Sequence, residues 1–220
     1  MTPKIINREE KSREIALAAL TVFAEHGFES TSMSQVAEAA GIGKGTIYEY
    51  FHSKTDLIIA ATAAWVQNIE EGITPLLDSD MDPLTRLRTL FAASTKAFLD
   101  DPKVILVFLG ISQLVIKDPA LGQRFGGAEV ISAPIRKVIC SILADGVAAG
   151  LFHVHVLENS ESIARNLVAF VDGIGLHYVT NPHAFDLAEQ INFYLEQLIA
   201  TLSVAPNGDR SPGVRGKRNR

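Results

Sequence analysis

The chain has 220 residues, of which 47% are hydrophobic and 20% charged. That composition supports a buried core and excludes a disordered chain, and the length allows one large or two small domains. The formal net charge of −5 weighs against a broadly basic nucleic-acid binder, and the single cysteine, Cys140, excludes an intramolecular disulfide and a Cys-rich zinc site.

Apolar residues recur at helical spacing almost throughout. The first segment runs from about Arg8 to His26, with Asn7 and Glu10 at capping-box spacing and Gly27 as a stop. A short second helix runs from about Met33 to Ala40 behind a Ser32–Gln35 capping box, Gly41-Ile42-Gly43 breaks it, and a third spans Lys44 to Phe51. Ser53 and Asp56 open a long fourth helix, in which Leu57, Ala61, Trp65 and Ile69 form one stripe. Asp82 before Pro83 caps a fifth, with Leu84, Leu87, Phe91, Ser94 and Phe98 on its buried face. Asp101-Pro102 and Asp118-Pro119 bracket a sixth that is apolar nearly all round, and so is expected to be buried.

Gly126-Gly127 precedes a seventh segment reaching Gly150, with Pro134 either kinking it or marking its first turn. His153 to Leu157 reads as a loop. An eighth helix runs from about Ser160 to Val179 and a ninth from about Phe185 to Leu202. The expected fold is therefore all-α with about nine helices and no strand pair. No nucleophile–base pair, phosphate loop or cofactor motif stands out, so an enzyme is disfavoured. Charge-free stretches such as Val104–Ile116 run 13 residues, short of the roughly 20 a membrane span needs. With no signal peptide at the N-terminus, the expectation is a cytoplasmic protein with no membrane partner.

The block from Thr31 to Lys54, TSMSQVAEAAGIGKGTIYEYFHSK, carries the functional signal. Two short helices joined by a glycine-containing turn form a helix-turn-helix pattern. Ile47 and Phe51 bury one face of the third helix, while Lys44, Thr46, Tyr48, Glu49 and Tyr50 present the other. A recognition helix needs that split between an apolar rear and a polar front. Gly43 and Gly45 keep its start thin enough for backbone N–H groups to approach a phosphate.

The string GIGKGTIYEYFHSKTDL, Gly41 to Leu57, resembles the DNA-binding signature of the tetracycline-repressor (TetR) family of transcriptional regulators. The sequence likeness covers about residues 12 to 60, and Val171-Asp172-Gly173-Ile174-Gly175-Leu176-His177 is similar to the penultimate helix of many members. The resemblance implies an N-terminal three-helix DNA-binding domain over residues 1–54, an effector-binding and dimerisation domain over 55–204, and a ligand-responsive regulator, most often a repressor. It implies no cofactor; its partners would be a palindromic double-stranded DNA operator, a second copy of the chain and a small-molecule effector. Residues 205–220 read as a disordered basic tail.

By that resemblance Ser32 and Ser34 touch phosphates, Lys44, Gly45 and Thr46 lie in the major groove, Tyr48 and Tyr50 reach phosphates or base edges, and Lys54 holds the backbone. Tyr48 has packing on the fourth helix as its alternative. Glu49 is either an acceptor for cytosine N4 or a solvated charge. Lys4, Arg8 and Lys11 are candidates for a basic arm, opposed by Glu9 and Glu10.

The dimer implied by the family packs the last two helices against their mates. Ile163, Leu167, Gly173, Ile174 and Tyr178 on one, and Ile191, Leu195 and Leu198 on the other, are the interface candidates; Gly173 and Gly175 suit a close backbone approach. For the effector pocket the candidates are Trp65, Phe91, Phe98, Phe108, Gln113, Asn166 and Phe170, chosen as aromatic or polar interruptions of apolar stripes. Rich aliphatic content favours a hydrophobic or amphipathic effector. The six histidines show no metal-ligand spacing. The competing reading is a helical interaction module with a degenerate DNA-binding unit.

The net charge divides into −1 over residues 1–54, −8 over 55–204 and +4 over 205–220. Acidity belongs to the effector half, and the DNA unit must rely on placed contacts rather than a broad basic field.

Overall fold

A computed structural model describes residues 7–77, 80–100, 103–124 and 129–204. The N-terminal end of the basic arm with Lys4, the Asp101-Pro102 and Gly126-Gly127 boundaries and the basic tail lie outside the described residues. Eleven α-helices are present among those described: α1 (Arg8–His26), α2 (Met33–Ala39), α3 (Lys44–Tyr50), α4 (Lys54–Ile73), α5 (Pro83–Asp100), α6 (Lys103–Lys117), α7 (Pro119–Arg124), α8 (Glu129–Ala148), α9 (His155–Glu158), α10 (Ser160–Thr180) and α11 (Leu187–Leu202). A 3-10 turn, Thr74–Leu76, follows α4.

Local chemistry sets most boundaries. The Asn7 side chain accepts from the Glu9 N–H at 3.0 Å, a plain N-cap rather than a box with Glu10. The Ser32–Gln35 box is complete. Ser53 Oγ accepts from the Asp56 N–H at 3.0 Å, and Asp82 Oδ1 accepts from Leu84 and Thr85 at 3.0 and 3.1 Å. Each such cap is worth about 1 kcal/mol because it satisfies an otherwise orphaned first-turn N–H.

The excess over nine helices has a simple origin. Pro119 starts a separate short helix after Asp118, whose carboxylate caps it through the Leu121 N–H. The segment read as a loop after Phe152 winds a single turn, α9, around buried Val156. Pro134 falls inside α8 rather than at its first turn. The expected burial of α6 is also corrected. Ile105 and Ile111 are buried, but Leu106, Leu109 and Ile116 are exposed. Apolarity all round therefore does not mean burial all round here.

Two apolar cores divide the molecule. The first joins Ile15, Ala19 and Phe23 of α1, Val36 and Ala37 of α2, Ile47 of α3 and Leu57, Ile58 and Ala61 of α4, and takes in Ile111, Leu121 and Ile131. The second joins Leu87, Phe91 and Phe98 of α5, Ile139, Ile142 and Leu143 of α8, Leu167 of α10 and Ile191 and Leu195 of α11. Helix α4, about 30 Å long from its 20 residues, is buried in the first core at its start. Its end lies beside the second.

Candidate nucleic-acid interface and effector cavity

In the α2–α3 unit, the Ile42 N–H donates to the Ala37 carbonyl at 2.9 Å. Gly41 closes the turn at φ +66°, a conformation that L side chains rarely adopt. Val36, Ala37, Ile47 and Phe51 are buried between the helices and fix the angle of α3. Its other side stands open: Lys44, Gly45, Tyr48 and Glu49 are exposed and Thr46 half-buried. Ser32 and Ser34 flank this face at the start of α2, exposed and half-buried. A Cβ placed on Gly45 meets no atom within 4 Å. The fold itself has room for a side chain there, and glycine keeps the outer surface flat.

Three expected contacts are redirected inward. Lys54 Nζ donates to the carbonyls of Phe28, Glu29 and Thr31 at 2.7, 3.0 and 3.0 Å and sits 4.6 Å from the Phe28 ring centre. All three ammonium hydrogens are thus spent on the α1–α2 connection, so Lys54 is not a free cation for a phosphate. Arg8 Nη2 donates to the Glu49 carbonyl at 2.6 Å and lies 5.5 Å from the Tyr50 ring centre. It ties α1 to the end of α3 rather than forming an arm. Tyr50 is half-buried against the first core, whereas the Tyr48 side chain is 47% exposed, against the alternative in which it packs away on α4. Lys11 pairs with Glu14 at 2.7 Å.

Beyond this unit, α4, α5, α6, α8 and α10 enclose a cavity of about 310 Å³. Its wall is mostly apolar, with Trp65 and Ile69 from α4, Phe98 from α5, Phe108 from α6, Ile135 from α8 and Val168 from α10. Trp65, Phe98 and Phe108 were expected there. Phe91 instead lines a neighbouring recess of about 40 Å³, which shares Leu90 and Ser94 with the cavity. Gln113 faces a different cavity, beside the α1–α2 connection. Asn166 is exposed, and Phe170 stacks on Tyr194 with ring centres 3.9 Å apart, so neither lines the cavity.

Sequence reasoning missed Asp172. Among the described residues it is the one charged side chain on the cavity wall, and burial raises its carboxyl to about 6. The available signal was an acid inside the apolar run from Leu167 to Leu176.

Among the interface candidates, Leu167, Ile191 and Leu195 are at most 1% exposed and cannot meet a second copy. Their stripe is the one that fills the protomer's own core. Gly175 is likewise explained internally, since a Cβ there would lie 2.8 Å from the Phe98 ring. Ile163, Gly173, Ile174, Tyr178 and Leu198 keep partial exposure. Phe193, unnoticed in the sequence, is 63% exposed. Its position two residues after Ile191, on the far side of α11, was the signal.

The family model for bacterial regulatory proteins of the tetR family matches residues 15–61, which take in α1 from Ile15 onward, α2, α3 and the start of α4. The chain's N-terminal unit belongs to the TetR family. The chain is 27% identical over 139 residues to the transcriptional repressor KstR2 of Mycobacterium tuberculosis, covering 63% of this chain and 68% of that protein. It is 32% identical over 93 residues to the transcriptional activator FasR of Mycolicibacterium smegmatis, covering 42% and 41%. Among solved structures, the regulator FadR from Bacillus subtilis in complex with stearoyl-CoA superposes with a TM-score of 0.70 at 22% identity, over 86% of this chain and 98% of that one. That likeness of fold extends past the residues the family model matches and through the second core. No group of three metal-ligating side chains occurs among the described residues. No described helix is long and apolar enough to cross a membrane.

Proposed function

We propose that this chain is a cytoplasmic, effector-responsive repressor of the TetR family that binds a two-fold symmetric operator as a homodimer. One observation carries the reading: a single helix, α4, is shared by the DNA-reading unit and the cavity. Its Leu57, Ile58 and Ala61 are locked into the core behind α3, and its Trp65, Asn68, Ile69, Gly72 and Ile73 line the cavity. A ligand that prefers one position of α4 therefore selects one placement of α3.

The coupling has a second strand. Arg13 of α1 donates to the Asn68 side-chain oxygen on α4 and pairs with Glu71 at 2.7 Å. An effector touching Asn68 is thus one residue from α1. Ligand must bind the two states with different affinity to shift them. Release from DNA follows if the liganded state mis-spaces two recognition helices relative to successive major grooves, about 34 Å apart.

One recognition helix reads too few base pairs for specificity, which favours a dimer. The outward faces of α10 and α11 supply the surface, with Gly173, Ile174, Tyr178, Leu198 and exposed Phe193. The DNA-contact set is Ser32, Ser34, Lys44, Gly45, Thr46, Tyr48 and Glu49. The repressor sign follows the longer match to KstR2 over the shorter one to FasR. The exposed polar face of α3 argues against a degenerate DNA unit.

Selection from a random duplex pool tests the reading. It should enrich a two-fold symmetric site, and the purified protein should block transcription from a promoter overlapping it. Enrichment of no symmetric site, or activation in the reconstituted reaction, overturns it.

A further inference from the structure

The polar groups at one end of the cavity share a chemical character. Among the described residues, Asp172 on α10 makes no hydrogen bond or ion pair, and no other charged side chain lines the cavity. Ser94 on α5 gives its hydroxyl hydrogen to the Leu90 carbonyl at 3.0 Å, which leaves its oxygen an acceptor. Both residues also line the small recess beside the main cavity, so they belong to the same end. The remaining polar residues, Asn68 and Ser132, are engaged through their oxygens by Arg13 and Arg136. What the Asp172 end offers a ligand is a carboxylate and a second acceptor in apolar surroundings.

We propose that the cavity is specific for an amphiphile ending in a protonated amine, its ammonium paired with Asp172 and its hydrocarbon lying along Trp65, Phe98, Phe108 and Ile135. This rests on the cavity's being the effector site. An unpaired carboxylate in a low-dielectric wall is costly to ionise. A ligand cation removes that cost, whereas a ligand carboxylate adds a like charge beside it. A neutral alcohol can still donate to either acceptor and falls between. The cavity volume of about 310 Å³ stands at the small end of ligand sites, about 300–1,000 Å³, and suits a medium-length chain.

Trp65 is the chain's only tryptophan and lines the cavity, so its fluorescence reports occupancy directly. The full-length protein is titrated with decylamine, decan-1-ol and sodium decanoate near neutral pH, below their aggregation concentrations. The expected order of affinity is amine, alcohol, carboxylate, with amine and carboxylate separated by at least about tenfold. Asp172→Asn should keep the wild-type circular dichroism spectrum and bring that ratio to within about threefold. Decanoate binding as tightly as decylamine, or an amine preference that survives Asp172→Asn, overturns the proposal while leaving the cavity as the effector site. If none of the three alters Trp65 emission, the cavity reading falls as well.

Discussion

The Lys54 ammonium lies 4.6 Å from the centre of the Phe28 ring and donates to the Phe28 carbonyl at 2.7 Å. With Glu29 and Thr31 as its further acceptors, Lys54 holds the connection that leads into α2. Removing it leaves three carbonyls without their charged donor. Charge-assisted hydrogen bonds and a cation–π contact of this kind are worth about 0.5–3 kcal/mol each. They are not additive, and the group is half-exposed, so Lys54→Ala should cost about 1–3 kcal/mol in urea unfolding. At temperatures where the variant is folded, the slope of log affinity against log salt should match the wild type. Lys44→Ala, at an exposed position on α3, should instead reduce that slope by about one. A reduced slope for Lys54→Ala would return it to the phosphate.

Tyr48 separates recognition from folding. Its exposed ring contributes little to the core, so Tyr48→Ala should change stability by less than about 0.5 kcal/mol. Operator affinity measured by fluorescence anisotropy should fall by roughly tenfold or more, the scale of one lost groove or phosphate contact of about 1–3 kcal/mol. Unchanged affinity with an intact circular dichroism spectrum would remove Tyr48 from the interface.

Phe193 tests the dimer. An aromatic side chain 63% exposed on the outer face of α11, near the Phe170–Tyr194 stack, is the type of residue that anchors an interface. Phe193→Arg should leave the helical spectrum unchanged and shift the mass seen by light scattering from dimer to monomer at micromolar concentration. It should also weaken operator binding steeply, because the two half-sites are no longer bound as a unit. A dimeric Phe193→Arg variant places the interface elsewhere.

What was legible in the sequence was local. The Ser32–Gln35 box, the Ser53 and Asp82 caps and the buried pair Ile47 and Phe51 all act within four residues, and spacing alone reveals them. Lys54 was not legible, because its three acceptors lie 23 to 26 residues away and nothing near it in the chain marks the difference between a phosphate and a carbonyl. The last two helices misled for a related reason. A helical period finds the most apolar face, and in α10 and α11 that face, with Leu167, Ile191 and Leu195, belongs to the protomer's own core. The face left over is less apolar, and only an out-of-phase aromatic such as Phe193 betrays it. The cavity was half-legible because the Leu57, Ala61, Trp65, Ile69 stripe runs out of the core and into the cavity wall.

Asp172 also leaves a mark on stability. Burial raises its carboxyl from 3.8 to about 6, so the folded state prefers the protonated form more than the unfolded chain does. The stability linked to that proton is fully present below the unfolded value near 3.8 and is lost as the pH rises through about 6. Asp172→Asn imitates the neutral form at every pH. It should therefore be more stable than the wild type at about pH 8, by about 1–2 kcal/mol once partial exposure and solvent screening are allowed for. The difference should shrink through about pH 6 and vanish toward about pH 4. Urea unfolding at both ends of this range checks the sign. A variant less stable than the wild type at about pH 8 would mean that the ionised carboxylate has a stabilising partner in solution.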